Sequence, residues 1–217
     1  MATGSILLTG FEPFGGDAVN PSAELVALLD GTAIAGHRLV SAVLPCRFGQ
    51  VQEALRAAVE RHAPALVLAI GQAGRRARLS FERVAVNLVD ARIADNAGLQ
   101  PVDEPVLAGA PPAYFATLPV KAMAAACAEA GVPAELSLTA GTYVCNAAFF
   151  LLMHHLATHA AGVRGGFLHI PWLPAQAATH RHGPSMDLDT MARGVRAALA
   201  AALATETDLA VPGGTVC

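Results

Sequence analysis

Ala65-Leu66-Val67-Leu68-Ala69-Ile70, stopped by Gly71, is an unbroken apolar run of strand length, and its neighbours decide what sheet it joins. Just before it, residues 49–61 have helical periodicity, with Val51, Leu55, Ala58 and Val59 on one face. Earlier still, residues 38–44 read as a strand stopped by Pro45. Residues 21–29 read as a helix with Asn20 as N-cap and Pro21 in its first turn, and residues 5–9 as a strand. After the apolar run, residues 83–88 alternate like a strand. Residues 90–119 are rich in Gly, Pro and Asp and read as a long functional connection. A helix over 120–130, closed by Gly131 and Pro133, precedes a strand over 134–138. A helix over 146–159, a strand over 166–170 stopped by Pro171, and an Ala-rich helix over 187–204 complete the pattern, with Asp187 or Asp189 near the last N-cap. Strands alternating with helices predict an α/β fold with a mostly parallel sheet covered on both faces. No repeat or internal boundary interrupts it, so residues 1–217 read as a single domain.

In such folds ligands bind beyond the carboxyl ends of the strands. The unusual residues gather there: 11–16 after the first strand, 71–76 after the third, Tyr143 and Cys145 before a helix, and His169 at the end of a strand.

Composition narrows the function. The 217 residues suit a sizeable core, and the formal net charge of -3 with no basic run gives no electrostatic support for a nucleic-acid or anionic-membrane partner. The N-terminus lacks the pattern of a signal peptide, and the longest apolar stretch, 147–153, is too short to span a bilayer. A cytoplasmic location is expected. The four cysteines, Cys46, Cys127, Cys145 and Cys217, are widely spaced without a CxxC pair, against a zinc ribbon or a redox dithiol. Reduced thiols are expected. His155 and His159 are four apart, with His154 adjacent, but the HExxH glutamate is absent; no metal is expected there, nor at His180-Arg181-His182 in a predicted loop.

Cys145, in Gly141-Thr142-Tyr143-Val144-Cys145-Asn146, follows a glycine-containing turn into an apolar helix. A thiol there faces unpaired N–H groups and the positive end of the helix dipole, which predicts a lowered pKa and offers donors for an oxyanion. A buried, inert cysteine is the plainer alternative. His169 is a lone polar residue at the end of a buried strand and needs a partner. It suits a general base, or a core histidine bonded to backbone. Glu82, at the start of the predicted 83–88 strand, suits the third member that orients an imidazole. A surface ion pair with Arg83 is its plainer fate, and Asp90, Asp95, Asp103 and Glu104 compete for the role. Phe11-Glu12-Pro13-Phe14-Gly15-Gly16 lacks the spacing of a phosphate loop; its phenylalanines suit a flat neutral ring, or simply close the turn.

Together these segments resemble the C15 family of cysteine peptidases, the pyroglutamyl-peptidase I family. The resemblance rests on Thr9-Gly10-Phe11-Glu12-Pro13-Phe14, Gly71-Gln72-Ala73-Gly74-Arg75, Glu82-Arg83-Val84-Ala85-Val86-Asn87, and Asp90-Ala91-Arg92-Ile93-Ala94-Asp95-Asn96. It continues through Thr139-Ala140-Gly141-Thr142-Tyr143-Val144-Cys145-Asn146 and Gly166-Phe167-Leu168-His169-Ile170-Pro171, in the family's order over nearly the whole chain. It implies a three-layer α/β sandwich with an open twisted sheet, of the phosphorylase/hydrolase-like kind. It also implies a Glu82–Cys145–His169 triad acting through a thioester, and a pocket for the N-terminal pyroglutamyl residue of a peptide. Phe11 and Phe14 would line that pocket, Gln72 would hydrogen-bond the lactam, Ile93, Tyr143 and Val144 would add apolar wall, and Arg92 would join substrate binding by helping to hold the oxyanion. No metal or organic cofactor is implied, and bacterial members are often cytosolic homotetramers. The sequence departs from the family at Tyr143, where many members have Phe; at Ser80-Phe81, in place of Thr-Pro; and at Cys46, a pocket position that is often Thr. A Cys46–Cys145 disulfide and closure of the 90–114 segment over substrate are further expectations. The rival readings are a nucleoside phosphorylase, which would need phosphate, and a binding protein that does not turn over.

Overall fold

The computed structural model describes residues 4–180 and 183–214, so Cys217 and the Arg181-His182 pair lie outside the described residues. The chain begins β1 (Ser5–Phe11), α1 (Pro21–Leu29), β2 (Ala33–Ile34), β3 (His37–Leu44), α2 (Phe48–His62) and β4 (Leu66–Gln72). It continues β5 (Leu79–Glu82), β6 (Val84–Val86), β7 (Ala113–Phe115), α3 (Val120–Glu129) and β8 (Ala134–Ser137). It closes with α4 (Val144–His159), β9 (Arg164–Ile170), α5 (Pro174–Thr179) and α6 (Leu188–Ala204). The main sheet runs β2-β3-β1-β4-β9-β5-β8, with β6 and β7 forming a separate antiparallel pair. β3, β1, β4 and β9 are parallel; β5 lies antiparallel to β9 and parallel to β8. The mostly parallel α/β sandwich is therefore as expected.

All of β4 is buried, because α1 and α6 cover one face of the sheet and α2 and α4 the other, while α3 covers the β5–β8 end beside α6. Asn20 caps α1, its Oδ1 accepting from Ser22 N at 3.0 Å, with Pro21 opening the helix. α1 passes so close to β1 that a Cβ on Gly10 would lie 2.6 Å from the Ser22 carbonyl oxygen. In α2 the buried face is Val51, Leu55, Ala58 and Val59, as the periodicity predicts. Asp187, rather than Asp189, caps α6 by accepting from Thr190 N.

The strand expected over 83–88 is instead two strands that break at Arg83. β5 ends on Glu82 in the main sheet, and β6 turns away to pair with β7. Arg83 covers the break, its guanidinium 5.2 Å from the Phe115 ring centre. β7 lies inside the long connection where no strand was expected. α5 was also unforeseen, although Pro174 opens it. α4 starts two residues earlier than the apolar pattern indicates, with Tyr143 at its N-cap.

Candidate active site

β4 and β9 run side by side in a register that pairs Gly71 with His169, so the two project to the same face. Gly71 has no side chain, and the space holds Cys145: a Cβ there would lie 2.9 Å from its Sγ and 2.8 Å from Phe167 Cζ. The start of α4 thus lays the thiol on the strand position beside His169. Glu82 comes from β5. Because β5 runs antiparallel to β9, its last residue pairs with Phe167, two positions deeper than His169. The glutamate is 0% exposed, and its Oε1 reaches His169 Nδ1 diagonally at 2.7 Å. Glu82 therefore ends a strand rather than starting one, and its partners are His169 and Arg76, not Arg83.

A carboxylate only accepts, so Nδ1 of His169 carries the proton that this bond donates, and Nε2 is the bare nitrogen. Burial pushes the His169 pKa below 6.5, and Arg76 adds to this, against the hydrogen bond and charge of Glu82, which pull it up. Cys145 does not show the lowered pKa expected of a thiol at a helix start. Burial raises it, the neighbouring Cys46 and Glu82 raise it further, and Arg76 offsets only part. Both directions favour the uncharged forms, a thiol on Cys145 and a neutral imidazole on His169. The helix start retains its donors: no side chain caps it, and the first intrahelical bond, from Ala147 N to Tyr143 O, leaves the N–H groups of Val144, Cys145 and Asn146 ahead of it. Asn146, wholly buried, anchors this end by accepting from Val86 N and donating to the carbonyls of Val86 and Leu88.

Beside the thiol is an aromatic wall. Tyr143 lies 6.0 Å from Phe14 and meets Phe48 edge-on at 5.4 Å, and its hydroxyl donates to Ala94 O. Ile93, 47% exposed, approaches Gly15 at the mouth. Two expected wall residues are placed otherwise. Phe11 is only 2% exposed and packs behind, 6.3 Å from Phe167, while the Val144 side chain is 0% exposed and belongs to the core. Arg92 is exposed. Gln72 is buried; its Nε2 donates to Asp17 Oδ2 at 3.3 Å and its Oε1 accepts from Gln176 Nε2 at 3.2 Å. Those bonds orient the amide and leave it one N–H and one lone pair.

The 90–99 segment arches over this wall and is pinned at both ends. Asp90 N donates to Thr142 O, and Asn96 Nδ2 donates to Glu12 Oε1 and Pro13 O. Asp95 is buried, which works against its charge, but the N–H groups of Leu99, Phe48 and Ala97 outweigh that and hold its pKa low. Asp95 is thus a loop clamp, not a rival to Glu82. Cys46, Cys127 and Cys145 are free thiols, and burial pushes Cys46 and Cys127 up to about 12. Among the described residues, no group of three or more His, Cys, Asp or Glu is placed to hold a metal; His155 and His159 stack on each other at 5.2 Å.

Sequence reasoning missed Arg76, Phe48, Asp17 and Gln176. The signal for Arg76 was its place in the stretch beyond the carboxyl end of β4, where the polar residues of an open sheet gather. Nothing local distinguishes it from Arg75.

A model of the pyroglutamyl peptidase family matches residues 4–205. The pyrrolidone-carboxylate peptidase of Cupriavidus taiwanensis is 54% identical over 97% of this chain and 98% of its own, and that of Klebsiella pneumoniae is 53% identical over 96% and 97%. The crystal structure of pyroglutamyl peptidase I from Bacillus amyloliquefaciens superposes with a TM-score of 0.94 at 42% identity, over 96% of this chain and 99% of that one. With the fold, the length and the sequence in agreement, the chain belongs to the pyroglutamyl peptidase family, C15.

Proposed function

We propose that this protein hydrolyses the bond after an N-terminal pyroglutamyl residue of a peptide, with Cys145 as nucleophile, His169 as general base and acid, and Glu82 as the group that orients His169. The observation that carries the reading is the Gly71 gap, which lays the Cys145 sulfur beside a histidine whose Nδ1 is already committed to a buried carboxylate.

His169 Nε2 takes the thiol proton as the sulfur attacks the pyroglutamyl carbonyl carbon. The N–H groups at the start of α4 receive the oxyanion, and one such donor is worth about 3–4 kcal/mol. The C–N bond then breaks, the imidazolium gives its proton to the leaving amine, and a thioester remains on Cys145. His169 next activates water, which releases pyroglutamate and restores the thiol.

Phe14, Tyr143 and Ile93 form the slot for the lactam ring, with Phe11 and Val144 behind it, and the spare donor and acceptor of Gln72 are suited to the lactam. Arg92 lies at the exposed rim. A glutaminyl or prolyl N-terminus would bring an ammonium into an apolar slot, at a cost of several kcal/mol. No metal or organic cofactor enters these steps. One domain suffices, since the core draws side chains from β1 through α6. Action in the cytoplasm as a homotetramer is part of the proposal and rests on the family resemblance. Among the described residues, no helix is long and apolar enough to cross a membrane.

Release of a fluorescent amine from a pyroglutamyl amide tests the reading, with prolyl and glutaminyl amides as controls. Turnover of the pyroglutamyl amide only, lost in Cys145→Ala, is the expected result. No turnover by folded, reduced native protein would refute it.

A further inference from the structure

Glu82 presents its two oxygens unequally. Oε1 accepts from His169 Nδ1 at 2.7 Å and from Arg76 Nη1 at 2.7 Å, while Oε2 is buried without a hydrogen-bond partner. Arg76 reaches in from the stretch between β4 and β5. Its Nη1 also lies 3.4 Å from Ser137 Oγ, and its Nη2 donates to Thr139 O at 3.1 Å. Ser137 is the register partner of Glu82, and Thr139 lies on the turn that leads to Cys145. One guanidinium thus joins the glutamate, the strand beside it and the approach to the nucleophile.

We propose that Arg76 is a positioning residue for the reaction: it supplies the counter-charge of Glu82 and fixes which carboxylate oxygen His169 uses. The proposal rests on the peptidase reading above. A general base must be neutral before substrate arrives. A buried carboxylate beside a neutral imidazole is an uncompensated charge unless a cation is at hand. Among the described residues, Arg76 is the cation in contact with Glu82. The other groups facing His169 do not substitute for it. From α4 the Cys145 thiol fills the space over Gly71, the strand position paired with His169, and the Phe167 ring meets His169 edge-on at 4.9 Å. Across the β5 pairing lies Ser80, whose hydroxyl is bound to Glu135, itself paired with Arg78. Without Arg76, the Glu82–His169 pair would draw a proton, and the imidazole would become neutral only at higher pH. At 26% exposure the guanidinium is near enough to water that a substitution need not leave a large buried void.

The test compares Arg76→Gln and Arg76→Lys with the native protein. It measures kcat/KM for a pyroglutamyl amide against pH, and the NMR titration of His169 in a Cys145→Ala background. For Arg76→Gln, kcat at pH 6.5 should fall about ten- to a hundredfold with KM changed less than about threefold. The acid limb and the His169 titration should both move up by about one pH unit. Arg76→Lys keeps the charge and should return both toward native, and melting curves confirm that each variant is folded. An Arg76→Gln protein whose acid limb and titration stay in place refutes the proposal, whatever its rate, because a purely structural loss would leave them there. If the native protein shows no pyroglutamyl turnover, the peptidase reading fails separately, and the His169 titration still decides the role of Arg76.

Discussion

Gly71→Ala is the smallest change that tests how the site is packed. The added methyl carbon would stand 2.8 Å from Phe167 Cζ, 3.1 Å from Phe167 Cε1 and 2.9 Å from Cys145 Sγ. Ordinary contacts begin near 3.5 Å, so something must yield by about 0.6 Å or more. Phe167 has little room to do so. It is buried, with Phe149 at 5.6 Å on one side, Phe11 at 6.3 Å on another and the His169 ring at 4.9 Å. Overpacking of this kind costs about 1–3 kcal/mol, or roughly 2–12 °C in melting temperature for a chain of this size. Cys145 Sγ is the tip of a side chain with a single rotatable bond, so the thiol should also be displaced. A shift of about 1 Å at the proposed nucleophile costs about a hundredfold in rate. The assay pairs kcat/KM on a pyroglutamyl amide with thermal denaturation. Gly49→Ala is the control: nothing lies within 4 Å of the added carbon, and the site is near the start of α2, so it should be neutral or slightly stabilising with unchanged turnover. A Gly71→Ala enzyme with native rate and native melting point would refute the placement of the thiol. A lowered melting point with native rate would separate Phe167 packing from catalysis.

The pKa directions predict the pH behaviour. His169 titrates below 6.5 in the folded protein, so the acid limb of kcat/KM should lie below that value. Stability tied to this group should be full above 6.5 and decline as pH falls below it, because the unfolded state then binds more protons; acid-to-neutral melting curves of native protein and His169→Gln would show the difference. A raised Cys145 pKa means that alkylation of the free enzyme by a small haloacetamide should climb about tenfold per pH unit from 7 to 9; a plateau across that range would establish a preformed thiolate instead. Asn146→Ala leaves the buried backbone groups of Val86 and Leu88 without their side-chain partner, so it should cost about 2–4 kcal/mol and reduce turnover with it, read by denaturant unfolding and the same amide assay.

Much of the fold was legible because burial and punctuation agree in the sequence. Asn20-Pro21 starts α1 where it should, and the apolar run of β4 identifies a strand covered on both faces. Legibility ended where pairing partners are distant. Nothing near Arg83 shows that β5 stays in the main sheet while β6 leaves it, because that choice is made by β9 and β7, far along the chain. The proposed triad was legible through the family's motifs, but its electrostatics were not. A helix start predicts a lowered thiol pKa, whereas burial against Phe167, with Cys46 and Glu82 nearby, decides the opposite. Arg76 escaped for the same reason, since its role depends on a carboxylate oxygen that only the folded sheet brings to it.

The sheet order carries a consequence for biosynthesis. β9 lies between β4 and β5, yet it emerges from the ribosome long after both, and after the helix that bears Cys145. Until it is made, β4 and β5 each present an unpaired edge and neither can complete the other. No fragment ending before residue 164 should cut peptides, however well its finished elements form, because the strand with His169 also closes the sheet. Nascent chains should therefore stay harmless to neighbouring peptides until nearly the whole sequence has been translated, and they should need protection from pairing with one another during that interval.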